Sequence, residues 1–284
     1  MILDERMAPR LLGLRRVAPR SIAHMYTSVF STTRRAGMVP DDVCPLGACR
    51  VGLEGLARVR SAYVWGDDAP GVLALHGWAS DSTAMLGIVE QSRQHGVSAV
   101  CFDAPGHGVS PGSQATLMEY SVAATEMLRR NPGVHTIVSH SLGSIIAAAA
   151  VANLASSRVR TIVMLAPACT LSGVLERWAG DRELPRDLVE GMYRELHRRN
   201  GVPVSHWDIR TLGLPPSVRV HILHDPDDDW TPISETYEIT AALSQATMAP
   251  VTGVGHYGIV GSAVARATVS DYLQSMLEVS IGDD

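Results

Sequence analysis

Short apolar runs and longer amphipathic stretches alternate along most of the chain. The runs are rich in β-branched residues, as buried strands are, whereas the longer stretches repeat apolar residues at helical spacing. We predict strands at 59–65, 71–77, 98–103, 134–138, 160–167, 218–224 and about 247–251, and helices at 84–95, 115–130, 142–150, 234–243 and 263–277. This order is typical of an α/β fold, with a mostly parallel twisted sheet flanked by helices.

The alternation is interrupted at residues 169–217. This region has no strand pattern, and prolines separate its short helical pieces at 171–178 and 184–199. We interpret it as a small helical insertion. The sheet domain is then predicted to comprise residues 50–168 and 218–284.

Residues 1–49 precede the alternating pattern and form a predicted basic N-terminal arm. Its first 35 residues hold seven arginines and two acidic residues, and residues 36–49 have the composition of a linker. A helix capped by Ser21 would place five apolar side chains on one face, those of Ile22, Met25, Tyr26, Val29 and Phe30. We expect this face to pack on the sheet domain. Contact with a membrane surface or with another subunit is the alternative.

Composition excludes several classes of function. The net charge of −5 argues against a general nucleic-acid surface, and no apolar run approaches the length of a membrane span. All 24 lysine-or-arginine positions are arginine, so the chain lacks the lysine of Schiff-base enzymes, pyridoxal enzymes and P-loops. The four cysteines show no zinc-site spacing. We therefore expect no cofactor and no metal.

The N-terminal sequence and the arginine bias bear on the source of the chain. Nothing before Met38 has the apolar centre of a secretory signal. The arginine bias suggests a GC-rich bacterial gene. We expect a cytoplasmic bacterial protein, and the sequence leaves its oligomeric state open.

A candidate nucleophile lies between the predicted strand at 134–138 and the helix that follows. The pentapeptide at 139–143 differs from the G-x-S-x-G pattern at Ser139. A sharp strand-to-helix turn needs small residues two positions before and after its apex, and its strain lifts the apex hydroxyl out of the sheet edge. Ser141 is that apex, and the N–H of Leu142, at a helix N-terminus, is a candidate oxyanion donor. For the pentapeptide alone, a serine-rich helix cap is the alternative.

Three other stretches, in the expected chain order, favour the nucleophile. A His-Gly turn at 76–77 follows the predicted central strand, and residues 103–110 match a D-x-P-G-H-G-x-S turn. An acidic loop at 225–229 then precedes the glycine-flanked His256. With these stretches the chain resembles the α/β-hydrolase superfamily, of the serine esterase and lipase-like kind, over residues 59–277 outside the insertion. The resemblance implies that the insertion is a helical lid over the pocket.

The resemblance also implies a catalytic triad in the order Ser, Asp or Glu, His. A serine hydroxyl needs an imidazole to take its proton, and the imidazole needs a carboxylate to fix its tautomer and stabilise its charge. His256 is the histidine that follows the acidic loop. The acid of the superfamily lies four residues ahead of a proline, here Pro232, which selects Asp228. The rivals within one turn, whose alternative roles are capping and solvation, are Asp225, Asp227 and Asp229.

Further roles around the triad come from the same resemblance. The backbone N–H of Trp78, after the His-Gly turn, would join that of Leu142 in an oxyanion hole. Three residues are implied to be structural rather than catalytic: Asp103, His107 and His140. The main departure is Ser139, which stands where glycine is commonest and adds crowding at the turn.

The tryptophans indicate the kind of substrate. The chain has five tryptophans and only two phenylalanines. Four tryptophans lie beside the catalytic loops or in the insertion: Trp78, Trp178, Trp207 and Trp230. Large apolar rings around one cavity favour an apolar acyl or polyketide-like ligand. For Trp178 and Trp207, a small core within the insertion is the alternative.

These observations lead to one predicted function with two alternatives. We predict a serine hydrolase that cleaves a carboxylic ester, or a thioester, of a small apolar substrate through an acyl-Ser141 intermediate. One alternative is an acyl-eliminating lyase of small-molecule biosynthesis on the same fold. The other is a ligand-binding protein that keeps the triad without turnover. No nucleic-acid partner is expected.

Overall fold

The computed structural model describes residues 17–34, 44–45, 47–53, 55–56 and 58–281. Residues 1–16 of the predicted arm and most of its predicted linker lie outside these ranges. The account of the arm below therefore begins at residue 17.

One sheet runs through the molecule. Its strands are β1 (Cys49–Gly52), β2 (Ser61–Trp65), β3 (Val72–Leu75), β4 (Ala99–Phe102), β5 (Thr136–His140), β6 (Thr161–Leu165), β7 (Arg219–His224) and β8 (Ala246–Pro250). Their order across the sheet is β1-β2-β4-β3-β5-β6-β7-β8. β2 pairs antiparallel with both of its neighbours, and the remaining neighbours pair in parallel. The prediction of a mostly parallel sheet is confirmed.

Helices cover both faces of the sheet. They are α1 (Pro19–Phe30), α2 (Leu86–Gln94), α3 (Leu117–Arg130), α4 (Gly143–Ala152), α5 (Leu171–Gly180), α6 (Arg186–Asn200), α7 (Ile233–Ala242), the single turn α8 (Gly255–Gly258) and α9 (Ala263–Ile281). α3 begins at a capping box, in which the Thr116 hydroxyl accepts from the Glu119 N–H and the Glu119 carboxylate accepts from the Thr116 N–H. None of the helices within the described ranges is both long and apolar enough to cross a membrane.

The core explains why the central strands are continuous apolar runs. Successive side chains of a strand point to opposite faces. Ile137 of β5 belongs to the cluster under α3 and α4, and its neighbour Val138 belongs to the cluster that includes α2 and α9. Both faces of β5 are therefore covered by helices, so an apolar residue is favoured at every position.

The structure differs from the prediction at the start of the sheet domain. Residues 49–52, assigned to the end of the linker and the first positions of the domain, form β1, with Cys49 opposite Val64 of β2. All four residues are exposed. They therefore lack the apolar pattern from which a strand can be predicted.

The helix of the predicted arm is present, but its cap differs from the prediction. Ser21 lies inside α1, which starts with Pro19 after an Ala18 that makes no side-chain cap. α1 packs chiefly on α6 of the insertion, and its buried apolar residues belong to the same apolar cluster as the central strands. The two helices approach so closely that a Cβ on Gly191 would lie 2.8 Å from the Cβ of Ala23.

Candidate active site

A strained turn connects β5 to α4. Its apex, Ser141, has a left-handed backbone with φ of +53°, which is uncommon for a residue with a side chain. Two residues later, a Cβ on Gly143 would lie 2.7 Å from the carbonyl oxygen of His76. Only glycine fits there without displacing the neighbouring loop, and the close packing lets the chain turn sharply enough to project Ser141.

Ser139 occupies the position where the turn departs from the G-x-S-x-G pattern. Its side chain is fully buried, and its hydroxyl lies 3.2 Å from the Ser144 hydroxyl and 3.4 Å from the Val163 carbonyl oxygen. The extra hydroxymethyl group therefore has space and polar partners in the turn. The crowding expected at this position is not seen.

Three side chains from separate loops meet at the carboxyl edge of the sheet. The Ser141 hydroxyl lies 3.1 Å from Nε2 of His256. Nδ1 of His256 lies 2.7 Å from Oδ2 of Asp228. A proton on Nδ1 donates to the carboxylate, which leaves Nε2 free to accept the serine proton. This arrangement can activate a hydroxyl as a nucleophile.

The Asp228 carboxylate is buried and surrounded by donors. Burial alone would raise its pKa, but hydrogen bonds outweigh it and hold the pKa well below the usual range of an aspartate. These bonds come from His224 and His256 and from the backbone N–H groups of Trp230 and Thr231, at 2.7 and 2.9 Å for the latter two. The group facing His256 is therefore an anion.

The other aspartates of the acidic loop have different surroundings. Asp225 is buried, and its Oδ2 accepts from the N–H groups of Val254 and Gly255 at 2.7 and 2.6 Å. This carboxylate fixes the loop that carries His256. Asp227 and Asp229 are exposed. Of the four candidates, Asp228 is the one that contacts the imidazole.

Two backbone N–H groups are available beside Ser141, those of Leu142 and Trp78. Neither has a hydrogen-bond partner among the described residues. The loop at 76–78 lies directly against the turn, since a Cβ on Gly77 would lie 3.3 Å from the Cβ of Ser141. The predicted oxyanion-hole residues are thus next to the candidate nucleophile.

A cavity of about 470 Å³ opens onto Ser141 and His256. Three of the four predicted pocket residues line it: Trp78, Trp178 and Trp230. Trp207 is wholly buried and packs in the main apolar cluster, away from the cavity wall. Its backbone carbonyl accepts from the N–H of Leu171, which ties the end of the insertion to the start of α5. Trp207 is therefore a core residue, which was the alternative to its predicted role in the pocket.

Comparison with known proteins identifies the fold. The family model Hydrolase_4, described as serine aminopeptidase S33, matches residues 68–203. The matched residues include Ser141 and the strands from β3 to β6. The chain has the α/β-hydrolase fold. A search of curated protein sequences finds no match.

Several solved structures align over most of the chain. Est1E from Butyrivibrio proteoclasticus, with bound ferulic acid, is 15% identical, covers 81% of this chain and 100% of its own, and has a TM-score of 0.60. A thermophilic esterase from Thermogutta terrifontis, Est2 with bound butyrate, is 18% identical, with coverages of 84% and 95% and a TM-score of 0.61. A thioesterase domain from the curacin biosynthetic pathway is 16% identical, with coverages of 80% and 98% and a TM-score of 0.53. At these identities the likeness concerns the fold.

The residues of the D-x-P-G-H-G-x-S turn lie behind this candidate site. The Asp103 carboxylate accepts from the N–H groups of Ser82 and Val109, at 2.8 and 2.9 Å. The His107 ring is buried beside Trp78, and burial lowers its pKa well below the usual value. Neither residue contacts the Ser141 hydroxyl or the His256 ring.

Sequence reasoning missed one wall of the cavity. The end of α1 and the residues after it, from Val29 to Thr32, line the cavity together with α5 and α6. The apolar stripe on residues 22–30 was a signal of burial. It gave no indication that the buried side would reach the active-site cavity.

Proposed function

We propose that this chain is a serine hydrolase that cleaves a carboxylic ester through an acyl-Ser141 intermediate. The observation that carries the proposal is the continuous contact from the Ser141 hydroxyl to His256 and on to the Asp228 carboxylate, at 3.1 and 2.7 Å. Hydroxyl, imidazole and anionic carboxylate in this order are the groups that acyl transfer requires.

In the proposed mechanism, the Ser141 oxygen attacks the ester carbonyl carbon while its proton passes to Nε2 of His256. The oxygen that becomes negative is stabilised by the N–H groups of Trp78 and Leu142, each of which contributes about 3 kcal/mol on the scale of donors removed from other enzymes. His256 then protonates the leaving alcohol, and the acyl group remains on Ser141. A water molecule gives a proton to His256 and attacks the acyl carbon. The bond between this carbon and the Ser141 oxygen then breaks, the acid leaves, and the Ser141 oxygen takes the proton from His256.

The cavity supports a small apolar substrate. Its wall holds the rings of Phe30, Trp78 and Trp178 and the aliphatic side chains of Leu117 and Val174. A volume of about 470 Å³ falls in the range of small-molecule sites. We propose that α5 and α6 act as the lid of this cavity, and that a thioester could enter the same site.

A panel of aryl esters with acyl groups from acetyl to dodecanoyl tests the proposal, with the intact protein and Ser141→Ala compared side by side. We expect turnover by the intact protein and a loss of more than about 10³-fold in Ser141→Ala. Equal rates in both would reject the mechanism. Fluorophosphonate labelling of Ser141 without turnover of any ester would favour the lyase or the binding protein.

A further inference from the structure

The cavity next to Ser141 is bounded in part by α1, which lies outside the residues matched by the family model. The last two residues of α1 and the two that follow, from Val29 to Thr32, face the same cavity as Ser141 and His256. Phe30 meets Trp178 of α5 edge to face, with ring centroids 5.4 Å apart. One aromatic pair therefore joins the N-terminal segment to the insertion above the site.

Polar contacts fix α1 and the residues after it to the rest of the molecule. The Arg199 guanidinium of α6 donates to the carbonyl oxygen of His24 and to the Ser28 hydroxyl, at 3.0 and 2.7 Å. Beyond the helix, the Trp78 indole N–H donates to the carbonyl oxygen of Thr32 at 3.2 Å. The Arg34 guanidinium donates to the carbonyl oxygens of Gly108, Ser110 and Gly112. The segment is held at both ends, as a rigid wall requires.

The chemistry of the proposed reaction decides which half of the substrate meets this wall. The leaving alcohol takes its proton from His256, so it departs on the side of Trp230 and Tyr257, whose rings lie next to the His256 ring and are more than half exposed. The carbonyl oxygen faces Trp78 and Leu142. The acyl substituent therefore lies on the side of the cavity opposite Trp230 and Tyr257.

The strand order shows what lies on that opposite side. The loops that carry Asp228 and His256 follow β7 and β8, on one side of β5. The loops after β3 and β4 lie on the other side, and Trp78 and Leu117 at the ends of these loops line the cavity together with Phe30. Phe30, Trp78 and Leu117 give this side an apolar lining, and the Arg182 guanidinium lies 4.3 Å from the centroid of the Trp178 ring. The His256 side is more open, since Trp230 and Tyr257 are more than half exposed.

We propose that α1 is a fixed wall of the acyl half of the site, and that Phe30 with Trp178 sets the limit on acyl length. This inference rests on the proposed function, because it assigns the two halves of the cavity from the acyl-transfer chemistry. The acyl group is then an apolar chain or ring that ends against the Phe30–Trp178 pair. A longer chain requires one of these rings to be removed or displaced.

The test compares Phe30→Ala with Met25→Ala over the aryl-ester series. Met25 lies on the same helix and is partly buried, but it does not line the cavity, so it controls for loosening of α1. For acyl chains longer than the intact protein accepts, we expect Phe30→Ala to raise kcat/KM by about tenfold or more, relative to its effect on short chains. Met25→Ala should keep the original preference. An unchanged preference in Phe30→Ala would overturn the inference.

A second variant, Gly191→Val, should shift α1 without changing any residue that lines the cavity. Gly191→Val places a side chain where Ala23 already packs, so it should push α1 away from α6 and extend the accepted acyl length as Phe30→Ala does. Loss of all length discrimination in Met25→Ala as well would contradict a specific role of Phe30.

Binding of straight-chain carboxylic acids, measured by calorimetry on the same variants, separates this inference from the proposed function. Suppose that Phe30→Ala binds longer acids than the intact protein does, but the intact protein turns over no ester. That result would reject the proposed hydrolase and retain the role of α1 as a wall. Ester turnover with the same maximum acid length in both proteins would reject only the role of α1. Absence of any acid binding, together with an unmoved ester preference, would also reject it.

Discussion

The imidazole of His140 donates from Nε2 to the backbone carbonyl oxygen of His256, at 2.8 Å. His140 directly precedes Ser141, so one residue contacts both the turn at Ser141 and the loop that carries His256. Two causes lower the pKa of His140 to about 4, burial being the larger and the nearby His256 ring the second. The ring is therefore neutral near pH 7, with its single proton on the nitrogen that contacts the carbonyl oxygen.

Replacement of His140 should disturb catalysis through the position of His256. We expect His140→Ala to lower kcat by up to about 100-fold, since small misplacements of a catalytic group are costly, with little change in KM. His140→Gln can supply an amide donor and should recover part of the loss. Steady-state kinetics on the three proteins measures this split. A change confined to KM would contradict the positioning role.

The acidic loop offers a matched pair of variants. On the proposed mechanism, Asp228→Asn should lower kcat by about 10⁴-fold, because an amide cannot fix the tautomer of His256 or stabilise its charge. Asp225→Asn should lower kcat less, since Asp225 accepts from backbone N–H groups, one in its own loop and two in the loop that carries His256. Circular dichroism controls for folding. Equal losses in the two variants would remove the distinction between catalytic and structural acid.

Buried histidines should make stability depend on pH. Burial lowers the pKa of His76, His107 and His140 in the folded protein, whereas an unfolded histidine has a pKa of about 6.5. As the pH falls from about 6.5 towards 4, the unfolded chain binds protons that the folded chain does not. Each such histidine then lowers the free energy of unfolding by up to about 1.4 kcal/mol per pH unit.

Urea unfolding across this pH range measures the effect. The slope of stability against pH should be positive, and His140→Gln should reduce it by the contribution of one proton. Aspartates with lowered pKa values, such as Asp225 and Asp228, add to the loss mainly near and below pH 4, where their unfolded forms take up protons. Constant stability between pH 6.5 and 5 would contradict the burial of neutral imidazoles.

Ser139 should contribute to stability more than to rate. Ser139→Gly removes the hydroxyl next to Ser144 and Val163, which we expect to cost about 1 kcal/mol in the free energy of unfolding. The value of kcat should change little, because the turn already accommodates the side chain. Chemical denaturation and kinetics together test this. A large rise in kcat in the glycine variant would show that Ser139 crowds the nucleophile after all.

The parts of the fold that were predictable are those with local signals. The strands of the central sheet are buried on both faces, and their apolar runs predicted them. The small residues around Ser141 predicted the turn, because a sharp strand-to-helix turn requires them. The choice of Asp228 came instead from the resemblance, through the spacing to Pro232 in the superfamily, and the structure brings this aspartate to His256.

The parts that were missed depend on contacts between distant segments. The apolar stripe of α1 indicated a buried face, but its partner α6 lies far along the chain. The close packing of Ala23 on Gly191, together with the hydrogen bonds of Arg199 and Trp78, places the end of α1 at the cavity. Trp178 and Trp207 both lie in the insertion, and the sequence does not distinguish them. The folding of the insertion in three dimensions places Trp178 at the cavity and Trp207 in the apolar core.

The most direct measurement of the central claim is mass spectrometry of the protein quenched in acid within the first turnovers of an aryl butyrate. The account predicts a burst of phenol close to the protein concentration and a butyryl adduct on the peptide that contains Ser141, both absent from Ser141→Ala. Steady turnover without a burst or adduct, retained in Ser141→Ala, would contradict it.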